Sequence, residues 1–162
     1  MKEALLELVD YHYWATHKIL ERANRLSPRQ LAQPVLESHK SLRNILFHML
    51  RTENVWRLLC EAGEVAAPIQ NHELIMLPDI RARWREEETA LRAYVAQLTE
   101  AELTEPRPLR DQQGDTIHET RWHMLMHLLL HSAQHRSEAA LLLTRYNQSP
   151  GDLDFIFYLD EK

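Results

Sequence analysis

The chain has 162 residues, 44% hydrophobic and 27% charged, a globular composition at the usual length of one domain. A net charge of −5 offers no basic surface for nucleic acid, and the single Cys60 rules out an internal disulfide framework and suits a reducing cytoplasm. Three glycines among 162 residues favour an all-α fold; no apolar run nears the roughly 20 residues of a membrane span, and the opening MKEALLELVDYHYW has acidic residues where a signal peptide is expected to be apolar.

The first helix is expected over residues 3–24. Leu5, Leu8, Val9, His12, Ile19, Leu20 and Ala23 recur there at threes and fours, with Tyr13 and Trp14 adding bulk. Ser27-Pro28 supplies an N-cap and a first helical residue for a short turn through Leu31. Pro34 breaks the chain before an irregular link to about Ser38. A second helix runs from Ser41 to Ala62, where Gly63 is placed to stop it. His48 sits beside its apolar face, between Ile45 and Met49, and Glu53 reads as a buried or half-buried acid. Cys60 lies about 18 Å along the axis from His48, too far to share an ion with it, and reads as a small packing residue.

Residues 64–77 read as loop with a short apolar insert. A third helix starts by Pro78-Asp79 and ends near Leu98, with Ile80, Trp84, Leu91, Val95 and Leu98 inward. The run Arg85-Glu86-Glu87-Glu88 reads as a solvated face. From Thr99 to Thr120 helix signals are weakest. A turn at Gln113-Gly114-Asp115, flanked by strand-tolerant residues, predicts a small hairpin or ordered loop over one end of the molecule. After the last long helix, Asn147-Gln148-Ser149-Pro150-Gly151 ends it, and DLDFIFYL is apolar enough to pack back. Four helices of about 20 residues predict a four-helix bundle, an architecture that builds metal sites from side chains on facing helices.

That last long helix, from Arg121 to Tyr146, carries the chemistry. His123, His127, His131 and His135 recur every four residues, which on an α-helix turns a slow stripe of about 40° and about 6 Å per step. Ligands of one ion lie about 2 Å from it, so at most two neighbours can share it: 123/127, 127/131 or 131/135. Leu125, Met126, Leu128, Leu129 and Leu130 surround the middle of the stretch, and imidazoles buried there need partners. Those partners are either a metal or the carbonyls and carboxylates of an ordinary core. Other motifs fail on spacing. His118-Glu119 begins H-E-x-x-H, but the next histidine comes one place late. No histidine has a glutamate three residues before it, as a ferritin-like site needs. No covalent-haem, Walker or dinucleotide motif is present. A single ion held by a pair on this helix, with His48 from the second helix, is what remains.

An aromatic first helix (YHYWATHKIL), one histidine in the second (NILFHMLRTENVW) and HLLLHSAQHRSEAALLL near the end together resemble the DinB-like superfamily, small bacterial four-helix metal-binding proteins distinct from the DNA polymerase of similar name. The resemblance covers nearly the whole chain. It implies that the metal ligands are His48, His131 and His135, with His127 lining the pocket or supporting a ligand. Where the family often continues His-Arg-Gly-Gln, this chain reads His135-Arg136-Ser137-Glu138, so Glu138 borders the site in place of an amide; Glu53 is a further candidate for its surroundings. Three neutral imidazoles leave a coordination position open, as in catalytic sites, and suit zinc or nickel, with iron as a further candidate. The resemblance also implies a homodimer and a small-molecule substrate, with a low-molecular-weight thiol activated for S-transfer to an electrophile. The contrasting reading is a non-catalytic metal- or ligand-binding stress-response protein.

Overall fold

The computed structural model describes residues 1–34, 41–65, 67–70, 76–110 and 114–162. These residues are mostly helical, in the order α1 (Lys2–Ala23), α2 (Pro28–Ala32), α3 (Leu42–Ala62), α4 (Leu77–Gln97), α5 (Glu100–Thr104), β1 (Pro106–Arg110), β2 (Thr116–Thr120), α6 (Arg121–Arg145) and α7 (Phe155–Glu161). The expected link to Ser38 and part of the 64–77 loop fall outside the described residues, as does Gln113 of the predicted turn. The turn's consequence is there nonetheless: β1 and β2 form an antiparallel hairpin, Pro106 opposite Thr120 and Arg110 opposite Thr116.

Local chemistry sets the ends of these elements. Ser27 and Gln30 form a reciprocal capping box at α2, as Thr99 and Glu102 do at α5. Ser41 caps α3 through the Asn44 N–H, and Thr120 caps α6 through that of His123. Gly63 closes α3 in the left-handed conformation at φ 81°. A Cβ there would also stand 3.2 Å from the Pro108 carbonyl oxygen, so glycine suits both backbone and crowding.

The four long helices, of 21 to 25 residues, carry the core. α1 packs on α6 and α4, α3 packs on the same two, and β2 and α5 lie against α6. Leu5, Ile19, Ile45, Leu46, Met49, Ile80, Leu91 and Leu142 are among the fully buried residues that join them. α7 returns to α1, where Phe155 meets the Tyr11 ring edge-on at 5.3 Å and Tyr11 donates to the Leu153 carbonyl at 2.7 Å. Three side chains at the end of α3 converge on one acceptor, the Cys60 carbonyl: Tyr94 Oη at 2.7 Å, Arg107 Nη1 at 2.5 Å and Arg121 Nε at 3.3 Å. They fasten α4, the hairpin and the start of α6 to that helix end. The Cys60 thiol itself is buried, and burial pushes it up to about 12. Among the described residues no helix is long and apolar enough to cross a membrane.

Not every charge on α4 faces water. Arg85 and Glu86 are exposed as expected, but Glu87 is fully buried. Arg57 grips its carboxylate with two nitrogens, and Asn54 donates to it at 3.0 Å. The helical period decides this: Glu87 shares the inward face with Trp84 and Leu91, three and four places away.

A second buried polar group occupies the middle of the core. Glu53 on α3 accepts from Trp84 Nε1 at 3.0 Å and from the Tyr13 hydroxyl. It also meets His12 Nε2 at 3.0 Å, while Arg136 Nη1 on α6 lies 2.7 Å from His12 Nδ1. A guanidinium has no acceptor. His12 Nδ1 therefore takes the hydrogen bond, and Nε2–H donates to Glu53, which makes this imidazole neutral. Burial holds His12 below its usual range against the opposing pull of Glu53, and Arg136 adds to the depression. The consequence for stability has a definite sign. As pH falls below about 6.5, the unfolded chain takes a proton at this site before the native one does. Stability is fully present above that pH and declines as pH drops toward the folded value. The melting temperature is expected to fall on acidification below about 6.5, and His12→Gln, which has nothing to titrate, is expected to have a shallower acid limb.

Candidate metal centre

α3 and α6 run antiparallel along one another. His48 meets His131, Trp56 meets His127 one to two turns on, and Cys60 meets Arg121 at the far end. That register matters because His48 lies near the start of α3 while His131 and His135 flank the middle of α6. Each faces the seam, since i and i+4 positions share one side of a helix.

His48 Nε2 and His131 Nε2 stand 3.2 Å apart. The His135 ring is 4.7 Å from that of His48 and 4.5 Å from that of His131, centre to centre. One nitrogen from each of the three lies within 4.8 Å of the others. A tetrahedral ion with Zn–N bonds of about 2.0–2.1 Å separates its ligand nitrogens by about 3.3 Å, so this donor set fits a divalent ion with little movement. These three histidines could hold a metal ion.

Glu138 lies one turn past His135 and its Oε2 accepts from His135 Nδ1 at 2.8 Å. Carrying its hydrogen on Nδ1, His135 turns the lone pair of Nε2 toward the other two rings. Carboxylate support of this kind fixes the tautomer of a metal-binding histidine and raises its basicity. Glu138→Gln retains an acceptor and loses the charge; it is expected to weaken metal binding about tenfold, read by competition with a chromophoric chelator.

His48 and His131 form part of the wall of a cleft of about 780 Å³ between α3, α6 and the hairpin. His135, the third member of the cluster, is nearly buried and is not part of that wall. Along the cleft come Val55, Trp56 and Leu59 of α3, then Leu109 and Ile117 of the hairpin, with Arg51, Glu64, Arg110 and Glu119 as charged members of the same wall. His127 lines the middle, its ring 4.5 Å from Trp56 and 5.8 Å from His131, beside the cluster rather than within it. His123 is exposed and bonded to Glu119 at 2.9 Å. A larger recess, about 920 Å³, lies between α2 and the start of α4, and its described lining residues include no histidine or carboxylate.

Glu53 goes elsewhere. It points into the core toward α1 and α4 rather than into the cleft, and its carboxylate is filled by His12, Tyr13 and Trp84. Five residues after His48, its Cα–Cβ vector is turned about 140° around the helix, which removes it from the seam. His12, in turn, has a role that the sequence reading left unassigned. Its position among the inward residues of the first helix was the available signal, because a buried imidazole demands a partner.

A mostly helical protein in which two antiparallel helices bring three imidazoles together beside a cleft has a donor set that could hold one metal ion. The particular family follows from the whole chain: the DinB family model matches residues 1–162, and the chain belongs to that family. No curated protein matches it.

Proposed function

We propose that the chain is a single DinB-like four-helix-bundle domain over residues 1–162 and acts as a metal-dependent enzyme. His48, His131 and His135 would hold one divalent transition metal, zinc or nickel first and iron after them. The observation that carries this reading is that two members of that cluster, His48 and His131, line a cleft between α3, α6 and the hairpin. A bound ion there supplies an open, positively charged position that lowers the pKa of a thiol or polarises a carbonyl.

The chain's own residues then bind and orient. Glu138 keeps His135 in the tautomer that points Nε2 inward. Trp56, Val55, Leu59, Leu109 and Ile117 exclude water from the path to the cluster; Ile117 is 42% exposed, and the cleft is what it faces. We assign the cleft to a small thiol and an electrophile with an apolar body. In the reaction RSH + E–X → RS–E + HX, the sulfur–carbon bond forms as the bond to X breaks, and the thiol proton leaves with X. The same reading carries a homodimer and a cytoplasmic setting, with no role for nucleic acid or membrane.

The test is a panel of small thiols against a model electrophile, with metal-loaded and metal-stripped protein. Metal-dependent turnover that His131→Ala abolishes supports the proposal. Stoichiometric metal without turnover by any thiol favours the alternative, a non-catalytic metal- or ligand-binding stress-response protein, and sinks the enzymatic reading.

A further inference from the structure

We infer that the buried Glu53–His12–Arg136 chain positions the histidine cluster, holding α3 and α6 at the separation that lets His48 meet His131 and His135. This inference rests on the metal reading above. The cluster draws its ligands from two helices, so its geometry is only as good as their spacing, and a site left about 1 Å loose by its supports loses function. The chain ties those same two helices through a third. Arg136 follows His135 directly on α6, and Glu53 lies five residues after His48 on α3, about 7.5 Å along the axis. His12 of α1 bridges them, with bonds of 2.7 Å on one side and 3.0 Å on the other.

Three observations distinguish this link from ordinary packing. His12 and Glu53 are fully buried and Arg136 is 3% exposed, so no water can replace a lost bond cheaply. Only one proton arrangement satisfies it, with His12 accepting from Arg136 and donating to Glu53, so its length and direction are defined in a way that aliphatic contacts are not. Finally, a buried polar chain with charged ends is an inefficient source of stability in a core, where apolar replacements of similar volume often do as well. What such a chain supplies is register between helices. Trp84 from α4 holds Glu53 in place, so all four long helices meet at this point. The link needs no metal, and the cluster is therefore held ready before any ion arrives.

The test measures cobalt(II) and zinc(II) affinity, with the cobalt d–d absorption as a signature of ligand geometry, at a temperature where circular dichroism shows each variant folded. His12→Leu cuts the chain, Arg136→Lys keeps the charge but not the planar fork, and Leu91→Ala destabilises the core away from both chain and cluster. The first two are expected to lose about tenfold or more in affinity and to change the cobalt spectrum. Leu91→Ala is expected to lower the melting temperature with affinity within about twofold of wild type. If His12→Leu does not fold, Arg136→Lys decides by the same readings. Wild-type affinity and spectrum in Arg136→Lys overturn the inference alone, as does a loss in Leu91→Ala equal to that in the chain variants. A wild-type protein that takes up neither ion overturns the metal reading with it.

Discussion

His131→Ala is expected to bind zinc roughly a hundredfold more weakly than the wild-type protein. Structural zinc sites bind with about 10–16 kcal/mol shared among four ligands, or about 3 kcal/mol for each, and every 1.4 kcal/mol is a factor of ten. His131 is the best choice because it makes the 3.2 Å approach to His48 and also faces the cleft. Its loss removes a donor without emptying the core, since it is only partly buried. The wild-type protein should also gain stability on loading. At a free ion concentration of a hundred times Kd the gain is about 2.7 kcal/mol, or roughly 5–10 °C in Tm for a chain of this size. Chelation should reverse that shift, and His131→Ala should show almost none of it. Equal shifts in the two proteins, by calorimetry with and without zinc, would show that the ion sits elsewhere.

Glu53→Ala should cost stability heavily, because it removes the acceptor on which the buried network converges and not a metal donor. Without its carboxylate the His12 N–H, the Trp84 indole N–H and the Tyr13 hydroxyl have no acceptor there, and Arg136 loses the anion at the far end of the chain. Breaking a buried pair by removing one partner costs about 3–5 kcal/mol. Set against a total of about 5–15 kcal/mol, that is a large fraction, and Tm should fall by about 10 °C or more. Chemical denaturation measures it directly. A loss below about 1 kcal/mol would mean that water reaches the group and that it is not the closed network described above. Glu138 makes the contrast, because a half-buried carboxylate on one histidine should change affinity far more than folding.

The difference between these two glutamates shows what could be read from the chain and what could not. Periodicity located the long helices to within a residue or two, because apolar spacing and terminal residues such as Ser41, Gly63 and Pro78 act locally. The histidine pair was legible for the same reason, since i and i+4 on a helix are neighbours whatever the rest of the chain does. Choosing 131/135 over 127/131 as the partners of His48 needed the resemblance, because the register of α3 against α6 is a long-range property. Glu87 was misplaced by that same limit, which also hid the partners of Glu53, an acid expected to be buried and found so. Glu53 is near His48 in sequence but turned away from the seam, and Glu87 stands in a charged run yet shares the face of Trp84 and Leu91. The α5 helix was missed although its Thr99-x-x-Glu102 box was in plain view, because Pro106, Pro108 and Gly114 dominated the reading of that region.

The burial of Cys60 has a practical outcome for bench work on this protein. With its only sulfhydryl held in the protonated state by a pKa of about 12 and shut away from solvent, the folded polypeptide should be silent toward maleimides, iodoacetamide and aromatic disulfides. Colorimetric depletion of an added mercaptan would then report that compound alone, with no background from the protein. Reducing agents could be left out of every buffer, and air oxidation would not cross-link native copies into spurious oligomers.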